Sequence, residues 1–341
     1  MRLMDVETKA GLDMKYLVEI LTVGIIIIIK TKRTMPTHYE RYVGTLLGGC
    51  IGDILGSTNE GKTFDTIRSK NSLVTKFHNN RYTDDTELTL VLARYLTKYQ
   101  ISSTSDHSMV QEVHSMYQKV VKNSKRGYSK KTRDLLSNWN HCMLANSSET
   151  NGAIMRIAPM ALIKHKSDQE LYDKIRYAVY CTHDNKDAID TAFIHVKLLI
   201  SIINQKQKTV ESIYRYAKEL AQRVKNPTIY AYLTMIHPDN KKRFEETQWN
   251  VNKSIFGYDM FQIKAIDCFI CALICFLYNF KDPKAALIMA ANLGGDTDTI
   301  AKLVGDLVGA TYGTEWIPEE WQNPEGKDEL TELAKILYNH N

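Results

Sequence analysis

Proline and glycine are scarce in this 341-residue sequence, at 7 and 17 residues, which excludes a collagen-like or low-complexity polymer. Cysteine is also sparse. Of the six cysteines (Cys50, Cys142, Cys181, Cys268, Cys271, Cys275), three crowd into one apolar segment, unlike the framework of a small secreted disulfide protein. Reduced thiols and a cytoplasmic location are therefore expected. Long apolar runs are missing too. Tyr16 to Ile29 comes nearest, but Glu19 interrupts it and it falls short of the about 20 residues that a bilayer crossing needs. Lys30-Thr31-Lys32-Arg33 behind it offers no small-residue cleavage site. Membrane contact is not expected, and residues 1–34 read as an apolar, basic N-terminal extension, packed on the body or poorly ordered. A strong charge of one sign is absent as well. Lys plus Arg number 44 against 39 Asp plus Glu, a net charge of +5 that suits an anionic ligand but not a dedicated nucleic-acid binder. Basic groups such as Lys122, Lys125, Arg126, Lys130, Lys131 and Arg133 read as solvated surface.

What is present is helical periodicity. Ile189, Ala192, Phe193, Val196, Leu199, Ile200 and Ile203 follow an i, i+3, i+4 rhythm, and Val210, Ile213, Tyr214, Ala217, Leu220, Ala221 and Val224 repeat it. Similar stripes run through Leu88 to Leu96, Leu171 to Val179 and Ile300 to Thr311. Ala265 to Leu277 is apolar nearly all round and belongs at the centre. Asp282-Pro283 reads as an N-cap followed by proline in the first turn. No segment has the alternation of a strand, and no solenoid-length repeat occurs. The expectation is an all-α fold, one compact helical domain over residues 35–341.

Two small-residue stripes stand out. Gly44, Gly48, Gly52 and Gly56 recur every fourth residue, and Ala301, Gly305 and Gly309 do the same near the other end. A glycine costs about 1 kcal/mol in a helix interior, so a stripe of them suggests close approach by another backbone. If the two stripes meet each other, the helices cross in contact; otherwise each packs separately against bulky side chains. Cys268, Cys271 and Cys275, at i, i+3 and i+7, share one apolar helix face. Nothing completes a zinc set around them, so they read as packing.

Two acidic clusters open periodic helices: Thr83-Asp84-Asp85-Thr86-Glu87 and Asp296-Thr297-Asp298-Thr299. Helix capping explains part of this, since Asp and Thr accept from unpaired first-turn N–H groups. Capping needs one acceptor, however, and each cluster holds two acids and an extra hydroxyl. Should the two helix starts meet, Asp84, Asp85, Asp296 and Asp298 could not all stay ionised without a counter-charge. Divalent cations would supply it, and a set of oxygens without His or Cys favours Mg²⁺ or Mn²⁺ over Zn²⁺. A rival reading of Asp296-x-Asp298 as an aspartate-based phosphatase motif wants it at the end of an apolar strand early in the domain. Here it follows Gly294-Gly295 late in the chain.

Five segments in order, Gly52-Asp53-Ile54-Leu55-Gly56-Ser57-Thr58-Asn59-Glu60, Tyr82-Thr83-Asp84-Asp85-Thr86, Asn151-Gly152-Ala153-Ile154-Met155-Arg156, Thr182-His183 and Gly294-Gly295-Asp296-Thr297-Asp298-Thr299, closely resemble the ADP-ribosylglycohydrolases. The resemblance runs from about Tyr42 to Tyr312 and implies a compact all-α domain with a dinuclear metal cleft holding two Mg²⁺ or Mn²⁺ ions. It implies Thr83, Asp84, Asp85, Asp296, Asp298 and Thr299 as metal ligands, and Glu60, Asp85 and Asp298 as catalytic carboxylates, Glu60 from a mobile loop. Ser148, Asn151 and Gly152 would cradle a pyrophosphate, and His183 would contact the substrate near the distal ribose. Where the family places a glycine before Asn-Gly, and often an aromatic ring nearby to stack on adenine, this chain has Ser147-Ser148-Glu149-Thr150. Glu149 beside a pyrophosphate is unfavourable, and Tyr128 is the candidate replacement ring. The implied activity is metal-dependent release of ADP-ribose from a protein side chain or related conjugate, by a monomer with no nucleic-acid partner. The alternative is a module that binds ADP-ribose with little turnover.

Overall fold

The computed structural model describes residues 35–98, 106–140, 146–240, 255 and 262–341. The expected extension, residues 1–34, and Cys142 lie outside the described residues. The apolar stripes fold as α1 (His38–Gly56), α2 (Phe64–Ser69), α3 (Asp84–Lys98), α4 (Asp106–Asn123), α5 (Lys130–Ser137), α6 (Asp168–His183), α7 (Lys186–Ile203), α8 (Val210–Arg223), α9 (Pro227–Met235), α10 (Ala265–Tyr278), α11 (Pro283–Ala291), α12 (Thr297–Tyr312) and α13 (Lys327–Asn339). Among the described residues there is no strand, only the isolated bridges Ser147 to His183 and Thr150 to Lys264. No described helix is long and apolar enough to cross a membrane.

Local signals set the helix ends. Thr37 accepts from the Glu40 N–H while the Glu40 carboxylate accepts from the Thr37 N–H, a capping box that starts α1. Asp282 accepts from the Ala285 N–H at 2.9 Å, with Pro283 at the first position of α11. Every residue of α10 is buried, including Cys268, Cys271 and Cys275, which are free thiols in the core, as the apolar surroundings imply.

The two small-residue stripes meet each other. A Cβ on Gly44 would stand 2.6 Å from the Gly309 carbonyl oxygen, one on Gly48 2.3 Å from that of Gly305, one on Gly52 2.0 Å from that of Ala301, and one on Gly56 2.1 Å from that of Thr297. The order of these pairs makes α1 and α12 antiparallel, so the C-terminal end of α1 lies against the N-terminal end of α12. Thr297 fixes the register by donating its hydroxyl to the Gly56 carbonyl at 2.7 Å. This backbone-to-backbone contact forms the central pair of the fold and delivers Asp296 and Asp298 to the place where the chain leaves α1.

Candidate active site

The start of α3 is fixed to the same end of α1 by Asp53, a fully buried carboxylate. Asp53 accepts from the Thr83 N–H at 3.0 Å, the Thr86 N–H at 3.0 Å and the Thr86 hydroxyl at 2.6 Å. A side chain from one helix thus does for another what an N-cap does locally, satisfying first-turn donors. Asp84 and Asp85 are freed from that work.

Glu60 arrives from the turn after α1. The Gly61 N–H donates to the Gly295 carbonyl at 2.9 Å, and the Gly295 N–H donates back to Lys62 at 2.8 Å. Gly294 and Gly295 have φ of 76° and 86°, and a Cβ on Gly294 would meet the Phe64 nitrogen at 2.4 Å, so this approach requires glycine. Asn59, buried, donates to Asn292 at 3.0 Å and to the Ala291 carbonyl at 3.2 Å, and Lys62 donates to the Thr58 carbonyl at 2.7 Å. These bonds hold the loop with Glu60 against the start of α12.

The two acidic helix starts therefore converge. Asp85 and Asp298 are buried, whereas Asp84 and Asp296 are half-buried and Glu60 is exposed, an arrangement with a carboxylate floor and a carboxylate rim. Burial pushes Asp84 up to about 7, helped by the charges of Asp53, Glu60 and Asp296. It raises Asp85 well above the ordinary carboxylate range, with Asp53, Asp84 and Asp296 acting in the same direction. Asp298 is raised by burial and by Asp296 and Asp85, and Glu60, although its residue surface is exposed, by partial desolvation of its carboxyl and by Asp296 and Asp53. The contacts of Asp53 with Thr83 and Thr86 and of Gly56 with Thr297 bring the starts of α3 and α12 to the same end of α1.

Hard cations suit this donor set, which is carboxylate and hydroxyl oxygen throughout. Asp85 Oδ2 is buried without a hydrogen-bond partner, a costly state for a carboxylate oxygen unless a cation faces it. Asp296 caps α12 without a side-chain hydrogen bond to that helix, so its carboxylate is not spent on capping. Among the described residues no three His, Cys, Asp or Glu side chains are drawn into a closed ion cage. Thr83 receives the Asp85 N–H at 3.3 Å, and Thr299, buried, donates its N–H to Asp298 at 2.9 Å.

The segment before the short 3₁₀ turn Asn151–Ala153 forms a second wall. Asn151 donates its side-chain amide to Asp296 at 2.8 Å and to the Gln262 carbonyl at 3.2 Å, tying the wall to the acidic cluster. Gly152 packs beneath His183, whose Cε1 a Cβ would meet at 2.6 Å. Glu149 forms an ion pair with Lys264 at 3.2 Å between two exposed side chains, which offsets part of its charge.

Two expectations are revised by position. Tyr128 is buried, donates its hydroxyl to Glu87 at 2.6 Å and has Arg133 over its ring at 5.3 Å, so it packs in the core instead of offering an open face. His183 is buried too, and both ring nitrogens are engaged, Nδ1 with the Thr182 hydroxyl at 2.7 Å and Nε2 with the Thr150 hydroxyl at 2.9 Å. It braces the wall from behind. Asp53 and Gln262 were missed as site residues. Asp53 could have been found, since an acid in a glycine stripe that is otherwise apolar needs partners; Gln262 carries no such signal.

A family model described as ADP-ribosylglycohydrolase matches residues 34–341. The chain is 25% identical to mouse ADP-ribosylhydrolase ARH3, an alignment covering 88% of this chain and 91% of the mouse protein. It is 25% identical to the ADP-ribosyl-[dinitrogen reductase] glycohydrolase of Rhodospirillum rubrum, covering 84% of this chain and 91% of that one. A solved structure titled ADP-ribosylglycohydrolase-related protein complex superposes with a TM-score of 0.68 at 23% identity, covering 89% of this chain and 98% of the other, a likeness of fold.

Proposed function

This chain belongs to the ADP-ribosylglycohydrolase family, and from that premise we propose that it is a metal-dependent enzyme cleaving the glycosidic bond between ADP-ribose and a protein side chain or related conjugate. What supports the metal dependence is that the starts of α3 and α12, which carry Asp84, Asp85, Asp296 and Asp298, both lie at the C-terminal end of α1, together with the partnerless Asp85 oxygen. Thr83, Asp84, Asp85, Asp296, Asp298 and Thr299 would hold two Mg²⁺ or Mn²⁺ ions. Bound there, the ions would supply Lewis-acid stabilisation and a lowered pKa for water.

The chain's own groups do the remainder. Breaking the ribose C1″ bond builds positive charge on the ring, which the surrounding carboxylates stabilise. Glu60, raised by partial desolvation of its carboxyl and by its acidic neighbours, is suited to hold and move a proton at the rim. Asn151 keeps Asp296 in place, and Ser148, Asn151 and Gly152 would orient the pyrophosphate. An ADP-ribosylated protein is the proposed partner.

The test is ADP-ribose release from defined arginine-linked and serine-linked peptides by wild type and Glu60→Gln. Wild type is expected to release ADP-ribose from at least one linkage, and the variant to fall by at least about 100-fold, the lower range for loss of a general acid or base. Equal rates would remove Glu60 from the reaction, and tight ADP-ribose binding with no release by wild type would establish a binding module instead.

A further inference from the structure

Behind the Asn151 wall a line of polar side chains leads inward to one buried cation. Arg156 is 1% exposed, donates from Nη2 to Thr182 Oγ1 at 2.6 Å, and lies over the Tyr117 ring at 4.8 Å. Its Nε has no partner, and among the described residues it forms no ion pair. A buried cation without a carboxylate beside it is costly unless an anion is supplied from elsewhere. From Thr182 the line continues through His183 Nδ1 at 2.7 Å, His183 Nε2 to Thr150 Oγ1 at 2.9 Å, and Thr150 Oγ1 to Ser148 Oγ at 2.9 Å. Ser148 is half-buried beside Asn151.

Burial, with Arg156 and Lys131 nearby, keeps the His183 ring neutral, so every group between Arg156 and Ser148 has one hydrogen to place and the line runs in one of two senses. In the first, Thr182 donates to Nδ1, Nε2–H donates to Thr150, and Thr150 donates to Ser148. In the second, the Arg156 N–H and the imidazole N–H both converge on the Thr182 oxygen. Thr182 must then donate to the Val179 carbonyl at the longer distance of 3.3 Å, and Ser148 turns its hydrogen inward. The first sense aligns successive dipoles with the Arg156 charge so that each bond strengthens the next, whereas in the second the Thr182 oxygen receives both donors on its two lone pairs and its own hydrogen goes to the longer Val179 contact, which breaks the run of aligned dipoles.

We propose that Arg156 is a positioning residue for anion recognition: through Thr182, His183 and Thr150 it directs the Ser148 hydroxyl hydrogen outward, to a phosphate oxygen of ADP-ribose. The choice of ligand rests on the function proposed above. Ser148 has no other acceptor among the described residues, and its oxygen also lies 3.4 Å from the Thr150 N–H, consistent with accepting from Thr150 on both counts. A hydrogen bond from a neutral hydroxyl to a charged oxygen is the stronger kind, and the relay extends part of the buried positive charge to it.

The direction is readable in the free protein. In the full chain labelled with ¹⁵N-histidine, with the His183 signals assigned from a His183→Asn difference, Nε2 should carry the proton and Nδ1 should not; the opposite tautomer overturns the proposal. Thr182→Val keeps the side-chain volume but cannot donate, and should lose this tautomer and weaken ADP-ribose affinity by about tenfold. Arg156→Met should weaken it about as much, and adding Ser148→Ala to either variant should cause no further loss. Should Arg156→Met fail to fold, Thr182→Val carries both readouts. Unchanged affinity in Thr182→Val, or losses that add to that of Ser148→Ala, refutes the relay. A wild type that binds no ADP-ribose refutes the function proposed above, while the tautomer still decides the direction of the relay.

Discussion

Asp53 shows how one residue builds a site without joining it. Its carboxylate spends its lone pairs on Thr83 and Thr86, and the two aspartates between them are left free of that capping work. Asp53→Ala should therefore cost about 2–4 kcal/mol in urea unfolding with Mg²⁺ present, because it leaves buried donors unpaired. Asp53→Asn, which keeps one oxygen, should cost less. A loss under 1 kcal/mol for the alanine variant would show that other contacts fix the start of α3. The acids with surplus acceptor capacity, Asp84, Asp85, Asp296 and Asp298, were legible in the sequence because their number exceeds what capping uses. Tyr128 was misjudged for a physical reason: a tyrosine beside a basic loop looks available until its ring is seen in the core and its hydroxyl on Glu87.

At the scale of elements, the antiparallel α1 and α12 pair turns a sequence pattern into a position. The glycine stripe in one helix and the Ala-Gly-Gly stripe in the other were visible as small-residue intervals, and the structure presses them together with carbonyls where side chains would be. That contact places Asp296 near Glu60 across most of the chain's length. Gly52→Ala should separate the helices, since its Cβ would stand 2.0 Å from the Ala301 oxygen. Overpacking typically costs about 1–3 kcal/mol, so we expect a lower melting temperature together with slower ADP-ribose release. An unchanged melting temperature would mean that the pair can slide apart freely. Irregular segments were less legible. The 146–153 wall depends on hydrogen bonds from Gln262 and His183, contacts between distant residues that leave no periodic trace.

For the whole molecule, the acidic cluster makes stability depend on ions and pH together. Folding raises Asp84 to about 7 and raises Asp85 and Asp298 by burial and mutual repulsion, so the folded chain holds more protons than the unfolded one above the ordinary aspartate value of about 4. The stability these groups contribute is complete below that value and lost as pH rises through the folded one. After chelation, thermal melts should show a falling melting temperature from about pH 4 to about pH 7 attributable to this cluster, and Mg²⁺ should restore it by binding the native state alone. A chelated protein with the same melting profile as the Mg²⁺-loaded one would contradict this. The helical class followed from periodicity along the chain, but the convergence of the two acidic segments is a property of the folded molecule that residues alone could only make conditional.

The most direct test is the rate of ADP-ribose release by chelator-treated protein as Mg²⁺ is added back, measured beside Asp298→Asn. The account predicts negligible release without the ion, recovery on addition, and no recovery in the variant; full release by the chelated wild type would contradict it.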